Sequence, residues 1–574
     1  MKQYIILFGV LISCIPTFSQ FLWSNQTFPT GNGGGFVIED ISSDPFGNTY
    51  AFGKSGGSII IGSDTGGISV LDAELVLIKY DATGQEVWAR NIIGKNSNNA
   101  RTLATDGQGN IYICGQYEQT NQNTILEFGN GVTLNGNASE SLFLSKVDSA
   151  GHFLWAKSII ATDEPGSQYL RPRDMVINGN QIYISGAVLE AVSIDNQVFN
   201  QNNSGHRQMF ITSFDTAGNF NWFKHTSKTG RFGFAEGMKM RVAPNNSIYI
   251  FGEKADSLSW DGNALPDHSL PGRSGDFLAR FNSTGEMSWM KAFTTSGNVD
   301  QDYFPLDTDS DGNAVISIRT AGSTVTDDTT YFAEVGSYLV GYDPDGNRRF
   351  TRKALSGGVG INGFAIFNLA ITPDNRIYGM GQYGLNEVYV GNDTLPAPAL
   401  FAEGFFTVAY SQSGNILGGR SLMDGYLNSG GTFTTLDLKS TYADDNGHIV
   451  LASSFEGQAY AGLDTLDSRG FIDQSFVLKF NPDAYLDISI HLDPRQEYSA
   501  EIFPIPVRDR LELNIDPLLE AKEINIFNFS GQLILQQQVN NSRTSLSLST
   551  YPAGYYILWI KGEKGSIRKK IQKF

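Results

Sequence analysis

The sequence predicts an all-β protein, and three observations support that prediction. A tryptophan recurs at intervals of 67 residues, at Trp88, Trp155, Trp222 and Trp289. A strand–turn–strand phrase recurs seven times between about residue 36 and about residue 482. None of the seven copies shows the 3.6-residue period of an amphipathic helix. A long fixed period indicates repeated supersecondary units that pack against one another.

The second copy shows the predicted elements of one repeat in order. A short apolar strand (103–105) comes first, and a Gly/Asn/Asp turn joins it to a strand of alternating polarity (111–114). A weak hairpin follows in a polar stretch (127–134), and then come the third strand (142–147) and the fourth strand (153–156). Gly and Asn supply the positive φ angles that tight turns need. Four antiparallel strands per repeat, arranged radially, form a β-propeller, which has about 4–8 blades. Seven copies therefore predict a seven-bladed β-propeller.

The recurring tryptophan is interpreted as a contact between blades, because a ligand-stacking residue need not recur in every copy. Phe350 stands at its place in the fifth copy, and the sixth copy has none there. The seventh copy also lacks a tryptophan strand, but residues 21–24 supply one, and Trp23 precedes Trp88 by 65 residues. We therefore expect the first strand of the mature chain to complete the last blade and to remove an open sheet edge.

The ends of the chain differ from the repeats. Residues 1–19 have the composition of a secretory signal peptide, with Cys14 in a possible lipobox as the alternative. The predicted organisation is a signal peptide (1–19), a propeller (20–485), a linker (486–498) and a small C-terminal β-sandwich (499–574) of about seven short strands. No later stretch approaches 18 apolar residues, so no transmembrane segment is expected. Cys114 is then the only cysteine of the mature chain, which excludes an internal disulfide.

Two resemblances follow from these residues. The phrases TDGQGNIYICG (105–115) and LFLSKVDSAGHFLWAK (142–157) resemble a β-propeller repeat family of secreted bacterial proteins, a family without a single activity. The C-terminal segment resembles the type A C-terminal sorting domain of the type IX secretion system of Bacteroidetes. Its matching residues are Phe503, Pro504, Pro506, Asn528, Gly531, Gly554, Tyr555 and Lys570. Ile505 departs from the family, which usually has Asn there.

The second resemblance implies a destination and a partner. In that family the domain engages the type IX secretion machinery and directs the protein across the outer membrane. It is usually removed as the protein is attached to the cell surface or released. A net charge of −18 argues against nucleic acid and against anionic membranes as partners. A monomer is expected.

The strongest metal candidate is the run Asp307, Asp309 and Asp311 followed by Gly312, which resembles the first half of a calcium loop. Ile318 stands where such a loop needs its bidentate Glu, so the run is interpreted as a solvated hairpin turn and no metal is expected. The segment 81–88 also resembles the tryptophan motif of quinoprotein dehydrogenases, but that family's adjacent cysteines are missing and no cofactor is expected. The six histidines form no metal-binding or catalytic pair.

Two functions remain. The first is a secreted or cell-surface binding or scaffold module for a protein or a glycan. The alternative is a surface polysaccharide lyase or hydrolase with its site at the propeller hub. An enzyme hub should gather carboxylates, His or Arg from several copies, and no such recurrence is visible. We therefore expect no catalysis, with a ligand bound by the connecting stretches 187–208, 253–275 and 382–404. These stretches contain His206, Trp260 and Tyr389, which are expected to be exposed.

Overall fold

The structure is a computed structural model of the chain. It describes residues 21–29, 35–62, 67–71, 74–94, 98–117, 125–135, 141–162, 169–189, 191–199, 206–228, 234–255, 258–265, 274–295, 303–320, 324–326, 331–332, 336–357, 364–383, 388–390, 393–395, 404–426, 435–456, 458–461, 464–467, 474–486, 500–503, 507–528, 533–539, 541–562 and 566–574. The predicted signal peptide and nearly all of the predicted linker lie outside these residues. The chain divides into two compact units, Met1–Leu486 and Asp487–Phe574.

The first four repeats are built from strands that follow one another in a constant order. The first repeat, with the strand before it, contains β1 (Phe21–Pro29), β2 (Phe36–Ser43), β3 (Thr49–Ser55), β4 (Ile59–Ile61), β5 (Ile68–Val70), β6 (Leu75–Tyr80) and β7 (Glu86–Ile92). The second contains β8 (Asn99–Thr105), β9 (Ile111–Tyr117), β10 (Ile125–Gly129), β11 (Val132–Asn135), β12 (Ser141–Val147) and β13 (Phe153–Ala161). The third contains β14 (Leu170–Asn178), β15 (Gln181–Val188), β16 (Val192–Ile194), β17 (Gln197–Phe199), β18 (Gln208–Asp215) and β19 (Phe220–Lys228). The fourth contains β20 (Phe234–Val242), β21 (Ile248–Ala255), β22 (Leu258–Trp260), β23 (Asn263–Ala264), β24 (Ser274–Phe281) and β25 (Met287–Thr295).

The last three repeats have the same order of strands. The fifth contains β26 (Leu306–Thr308), β27 (Ala314–Thr320), β28 (Thr324–Thr326), β29 (Tyr331–Phe332), β30 (Gly336–Tyr342) and β31 (Arg348–Gly357). The sixth contains β32 (Phe364–Ile371), β33 (Ile377–Tyr383), β34 (Val388–Val390), β35 (Asp393–Leu395), β36 (Gly404–Tyr410) and β37 (Ile416–Tyr426). The seventh contains β38 (Thr435–Ala443), β39 (Ile449–Glu456), β40 (Gln458–Ala461), β41 (Asp464–Asp467) and β42 (Gln474–Phe480), and is followed by α1 (Pro482–Leu486).

Each repeat contributes four strands to one antiparallel sheet, in the order first, second, third, fourth, with β1 as the fourth strand of the last. Among the described residues, the first strands β2, β8, β14, β20, β26, β32 and β38 contact one another in a closed cycle, with β38 returning to β2. These seven inner strands therefore surround a common axis, as in a β-propeller. The prediction of an all-β fold is confirmed.

The short hairpin of each repeat extends the sheet of the repeat before it. The hairpin β16–β17 of the third repeat, for example, pairs with β13 of the second. Five such sheets and the closing sheet have six strands each in the described chain. Among the described residues, a single bridge, Ile93 to Glu127, joins the first sheet to the corresponding hairpin β10–β11. The sequence predicts these hairpins but not their exchange between neighbouring blades.

The recurring tryptophans contact the neighbouring blade, as predicted. The Trp88 Nε1 donates a hydrogen bond to the Ser149 carbonyl (3.2 Å) in a turn of the next repeat. The turn that meets the ring needs glycine for two reasons. Gly84 has a φ of +84°, which other residues rarely adopt, and a Cβ at this position would lie 2.5 Å from the ring of Trp23. Phe350 packs on Gly414 in the same way and so replaces the tryptophan in the fifth copy.

The predicted closure of the ring by the first strand is confirmed. β1 pairs antiparallel with β42, the third strand of the seventh repeat, with Trp23 opposite Lys479. At its other end β1 pairs with β4 of the first repeat. The N-terminal strand thus links the last blade to the first repeat.

The second unit is a two-sheet β structure. Its strands are β43 (Ala500–Phe503), β44 (Arg510–Ile515), β45 (Ala521–Asn528), β46 (Leu533–Gln538), β47 (Arg543–Ser547), β48 (Gly554–Gly562) and β49 (Ser566–Lys573), with a 3₁₀ turn at Pro517–Leu519. One sheet has the order β43-β44-β47 and the other β46-β45-β48-β49. Alternating apolar residues of both sheets, such as Leu511, Leu513, Ile524 and Leu558, share one core.

Candidate ligand site at the propeller axis

A β-bulge occurs at the same place in six of the seven inner strands that the structure describes. At this place the inner strand has one residue more than the second strand beside it. The extra residues are Glu39, Arg101, Arg173, Met238, Phe367 and Lys439. All six line one cavity of about 480 Å³ at the axis. The inner strand of the fifth repeat is shorter, and the residues before it, Tyr303 and Phe304, complete the lining.

Below this cavity, three aspartates tie neighbouring blades together. Asp40 accepts a hydrogen bond from the Leu103 amide of the next repeat (2.9 Å). Asp174 of the third repeat and Asp307 of the fifth make the same contact with the repeat that follows. Asp174 accepts a hydrogen bond from the Met240 amide (2.8 Å), and Asp307 accepts one from the Ile371 amide (2.7 Å). The Ser440 hydroxyl of the seventh repeat donates to Asp40 (2.7 Å), which extends this network across the closing junction of the ring.

Two partly buried cations accompany these carboxylates. The Arg241 guanidinium lies 3.4 Å from Asp174 and 3.2 Å from Asp307, so it joins the third and fifth repeats. The Lys239 ammonium lies 3.4 Å from Asp174. Asp40, Asp174 and Lys239 also line a second, deeper cavity of about 300 Å³. The deeper cavity is therefore separated from the upper one by side chains that already satisfy one another.

The electrostatics of this layer reflect burial. Burial raises the pKa of Asp40 and of Asp307 above the ordinary value for an aspartate, and the Arg241 charge partly offsets the increase at Asp307. Burial opposes the charged form of Arg241, but the neighbouring Asp307 and Asp174 raise its pKa on balance. This layer is best explained as structural, since each carboxylate has partners in two repeats.

The upper cavity combines an aromatic wall with charged groups. The rings of Tyr303 and Phe367 stack with centroids 3.8 Å apart and an interplanar angle of 8°. The Tyr303 hydroxyl donates to one oxygen of Asp437 (3.1 Å), and the Lys439 ammonium lies 2.6 Å from the other. Three neighbouring repeats therefore hold the aromatic pair in place.

Three polar groups of the upper cavity have unused hydrogen-bonding capacity. The Arg101 guanidinium donates only one hydrogen bond to the described residues, through Nε to Gln116 (2.8 Å). The buried Nδ2 of Asn368 has no hydrogen-bond partner in the part of the chain that is described. Glu39 makes no hydrogen bond or ion pair to the described residues, and burial raises the pKa of its carboxyl while Lys439 and Arg101 oppose that increase.

A positive region lies beside Arg101. Burial lowers the pKa of Arg101, the charges of Arg173 and Arg171 lower it further, and Glu39 opposes them. Arg173 is itself paired, since it contacts the fully buried carboxylate of Glu236. Arg207 contacts the other oxygen of that carboxylate at 3.0 Å. Arg101 is therefore the arginine of this cavity without a carboxylate partner among the described side chains.

The three aspartates of the calcium-like run do not form one site. Asp307 lies in β26 and takes part in the layer between the cavities, so its interpretation as a turn residue is wrong. Asp309 is a turn residue, as predicted, since its carboxylate accepts hydrogen bonds from the amides of Asp311 and Asn313 at 3.1 and 2.8 Å, but it is buried rather than solvated. Asp311 is exposed and accepts a hydrogen bond from Gln412 (2.8 Å). No cluster of metal-ligating side chains occurs among the residues that the structure describes.

The connecting stretches expected to carry the ligand hold the exchanged hairpins. Trp260 was expected to be exposed, but it is 2% exposed, and its Nε1 donates to the Gly285 carbonyl (3.1 Å). Tyr389 lies on β34 and is 44% exposed. His206 precedes β18 and is partly exposed. None of the three lines either axial cavity.

The predicted sorting residues lie in the second unit. Phe503 ends β43 and is exposed, and Gly554 begins β48. Asn528 ends β45, while Tyr555 and Lys570 lie on the paired strands β48 and β49. Pro504, Pro506 and Gly531 lie outside the described residues. The α-helix that the structure describes has five residues, too few to cross a membrane.

Sequence reasoning missed the residues of the upper cavity. It expected an enzyme hub to show itself by one residue type recurring in several copies, yet the structure gathers acidic, basic and aromatic residues there from all seven repeats. The constant feature is a position, about 11 residues before the aromatic of the following strand, as for Glu39 and Tyr50. Comparing that position among copies could have found the site.

Comparison with known proteins identifies the end of the chain. Residues 501–573 match the secretion system C-terminal sorting domain. This match confirms the predicted sorting domain. It indicates export by the type IX secretion system to the cell surface or the extracellular space. The chain is thus an exported protein with a β-propeller-like extracellular domain.

The comparisons that cover the repeats are distant. An uncharacterized WD repeat-containing protein of Acanthamoeba polyphaga mimivirus is 25% identical over 244 residues, 37% of this chain and 17% of that protein. Regulatory protein FlaEY of Caulobacter vibrioides is 23% identical over 287 residues, 46% of this chain and 29% of that protein. The chain thus spans less than a third of either relative. A solved structure from Dyadobacter fermentans, of unknown function, is 12% identical with a TM-score of 0.33 and covers 79% of this chain and 98% of its own.

Proposed function

We propose that this protein is a binding module exported to the cell surface or the medium. Its ligand is an extracellular glycan or protein that docks in the upper axial cavity. The observation that carries the proposal is the convergence of the six bulge residues on that cavity. A bulge weakens a sheet locally and is commonly used to aim a side chain at a site.

Three further properties support a binding site there. The cavity volume of about 480 Å³ lies in the range of ligand pockets. The bulge residues are partly exposed, so they are open to solvent. Arg101, Asn368 and Glu39 retain unused hydrogen-bonding groups, whereas the layer beneath them is satisfied within the protein. A rigid ring that presents such groups at its centre is suited to recognition.

The proposal is tested by blocking the cavity. Asn368→Trp places a large ring within it, and Val198→Trp places the same ring on the exposed outer hairpin β17. The purified full-length secreted protein and both variants are screened against extracellular polysaccharides and surface proteins, with thermal melting to verify folding. Ligands retained by the native protein and by Val198→Trp should be lost by Asn368→Trp. Equal retention by all three would place the ligand elsewhere.

The alternative is a polysaccharide-degrading enzyme with its site in the same cavity. The observation that favours it is the partly buried Glu39, whose raised pKa suits a general acid, in a cavity that also contains the carboxylate of Asp437. Assaying the screening mixtures for released sugars decides between the two functions. We expect no turnover; turnover that disappears in Glu39→Gln would establish the enzyme.

A further inference from the structure

We propose that the upper axial cavity recognises an acidic sugar through its carboxylate, with Arg101 as the anion-binding residue. This inference rests on the proposed function and names the class of its ligand. Three groups of the cavity are incompletely paired within the described part of the chain: Arg101, Asn368 and Glu39. They differ in chemistry, which restricts the ligands that can satisfy all three.

Arg101 is suited to bind an anion. A guanidinium offers five N–H donors, and Arg101 gives one of them to Gln116 (2.8 Å). Glu39, an acidic residue of the lining, interacts with Arg101 through charge but forms no ion pair with it. A planar carboxylate pairs with an arginine through two parallel hydrogen bonds. The charges of Arg173 and Arg171 also act on Arg101, although Arg173 shares the carboxylate of Glu236 with Arg207.

Asn368 and Glu39 require a ligand that also carries hydroxyl groups. The Asn368 Nδ2 is buried and donates to no described residue, so it needs an acceptor. The Glu39 carboxyl accepts no hydrogen bond from the residues described, so it needs a donor. One hydroxyl group can serve either need, because it donates one hydrogen bond and accepts others. A simple apolar acid would leave both groups unsatisfied.

The aromatic wall supplies the third contact. Tyr303 and Phe367 are partly exposed in the cavity and are fixed by their mutual stacking at 3.8 Å. Such a rigid apolar surface favours the C–H face of a ring over a fully solvated chain. A uronic acid combines a carboxylate, several hydroxyl groups and an apolar ring face, so it matches all three parts of the lining.

The test uses isothermal titration calorimetry on the full-length secreted protein at low ionic strength. The probes are a galacturonate trisaccharide, its methyl ester and the uncharged galactose trisaccharide. The acid should bind at least about tenfold more tightly than either uncharged probe, because hydrogen bonds between charged groups are the strong ones. Arg101→Gln should lower the affinity for the acid by at least about tenfold. The affinity of Arg101→Lys for the acid should lie between those of the native protein and Arg101→Gln, since lysine keeps the charge but cannot form two parallel hydrogen bonds.

The control is Arg352→Gln, which removes the same charge at an arginine that bonds Asn415 outside the cavity. It should leave all three affinities unchanged. Equal binding of the acid and its ester, or an unchanged acid affinity in Arg101→Gln, would overturn the proposal. The proposal would also be overturned if none of the sugars bound. It would be overturned too if a blocked tripeptide with a free carboxylate bound in their place and depended on Arg101. If Asn368→Trp still abolishes capture of another ligand in those cases, the proposed function survives without the acidic sugar.

Discussion

Replacing Trp23 by Ala should destabilise the whole ring, because β1 pairs with both the seventh blade and the first repeat. Trp23 is 8% exposed; its ring lies 5.8 Å from that of Tyr80 and rests on Gly84. Truncating a buried tryptophan to alanine costs about 3–5 kcal/mol. At about 2.1 cal/mol/K per residue over roughly 460 residues, the unfolding entropy at the midpoint is about 1 kcal/mol/K. The melting temperature should therefore fall by about 3–5 °C.

The assay is differential scanning calorimetry of the native protein, Trp23→Ala and the control Leu22→Ala. Leu22 lies next to Trp23 on the same strand but is 49% exposed, so its truncation should cost less than about 0.5 kcal/mol. Equal shifts for the two variants, or no shift for Trp23→Ala, would refute the role of β1 in closing the ring.

Three further predictions concern the sorting domain, the turn of the fifth repeat and a buried carboxyl. A chain truncated at Ser499 should fold and remain in the periplasm in cell fractionation; its appearance at the surface would contradict the sorting assignment. EDTA should leave the melting temperature unchanged, because Asp309 is engaged by its own turn; a fall restored by calcium would make that turn a metal site. Burial raises the pKa of Asp276 to about 8, with Glu253 adding to the increase, so its protonated form stabilises the fold at low pH. That contribution to stability is complete below about pH 4 and is lost as the pH rises through about 8. The melting temperature of Asp276→Asn should therefore depend less on pH across this window than that of the native protein.

The contacts between blades could be predicted from the sequence because a large aromatic residue makes the same contact in several repeats. Trp23, Trp88 and Phe350 recur at one place in the repeat, where a large ring meets the turn of the next blade. Their spacing predicted the packing, and the match between residues 21–24 and the fourth strand of the repeats predicted the closure. Both the packing and the closure could be predicted because the same sequence pattern recurs in several repeats.

The axial cavity could not be predicted in that way, because its lining changes from copy to copy. Glu39, Arg101 and Phe367 occupy equivalent bulges but share no chemistry. Asp307 resembled a turn residue in sequence because Asp309 and Gly312 follow it, although it lies on a strand at the axis. Trp260 resembled an exposed loop residue since polar residues surround it, but the exchanged hairpin buries it. Each of these assignments depends on contacts between repeats.

Hydrogen–deuterium exchange, with and without a ligand retained in the screen, tests the axial site most directly. We expect slower exchange in β8 and β14, whose bulges carry Arg101 and Arg173 into the upper cavity. We expect no change in the outer hairpins β16–β17 and β22–β23. Protection confined to those hairpins, with β8 and β14 unchanged, would contradict a ligand site at the propeller axis.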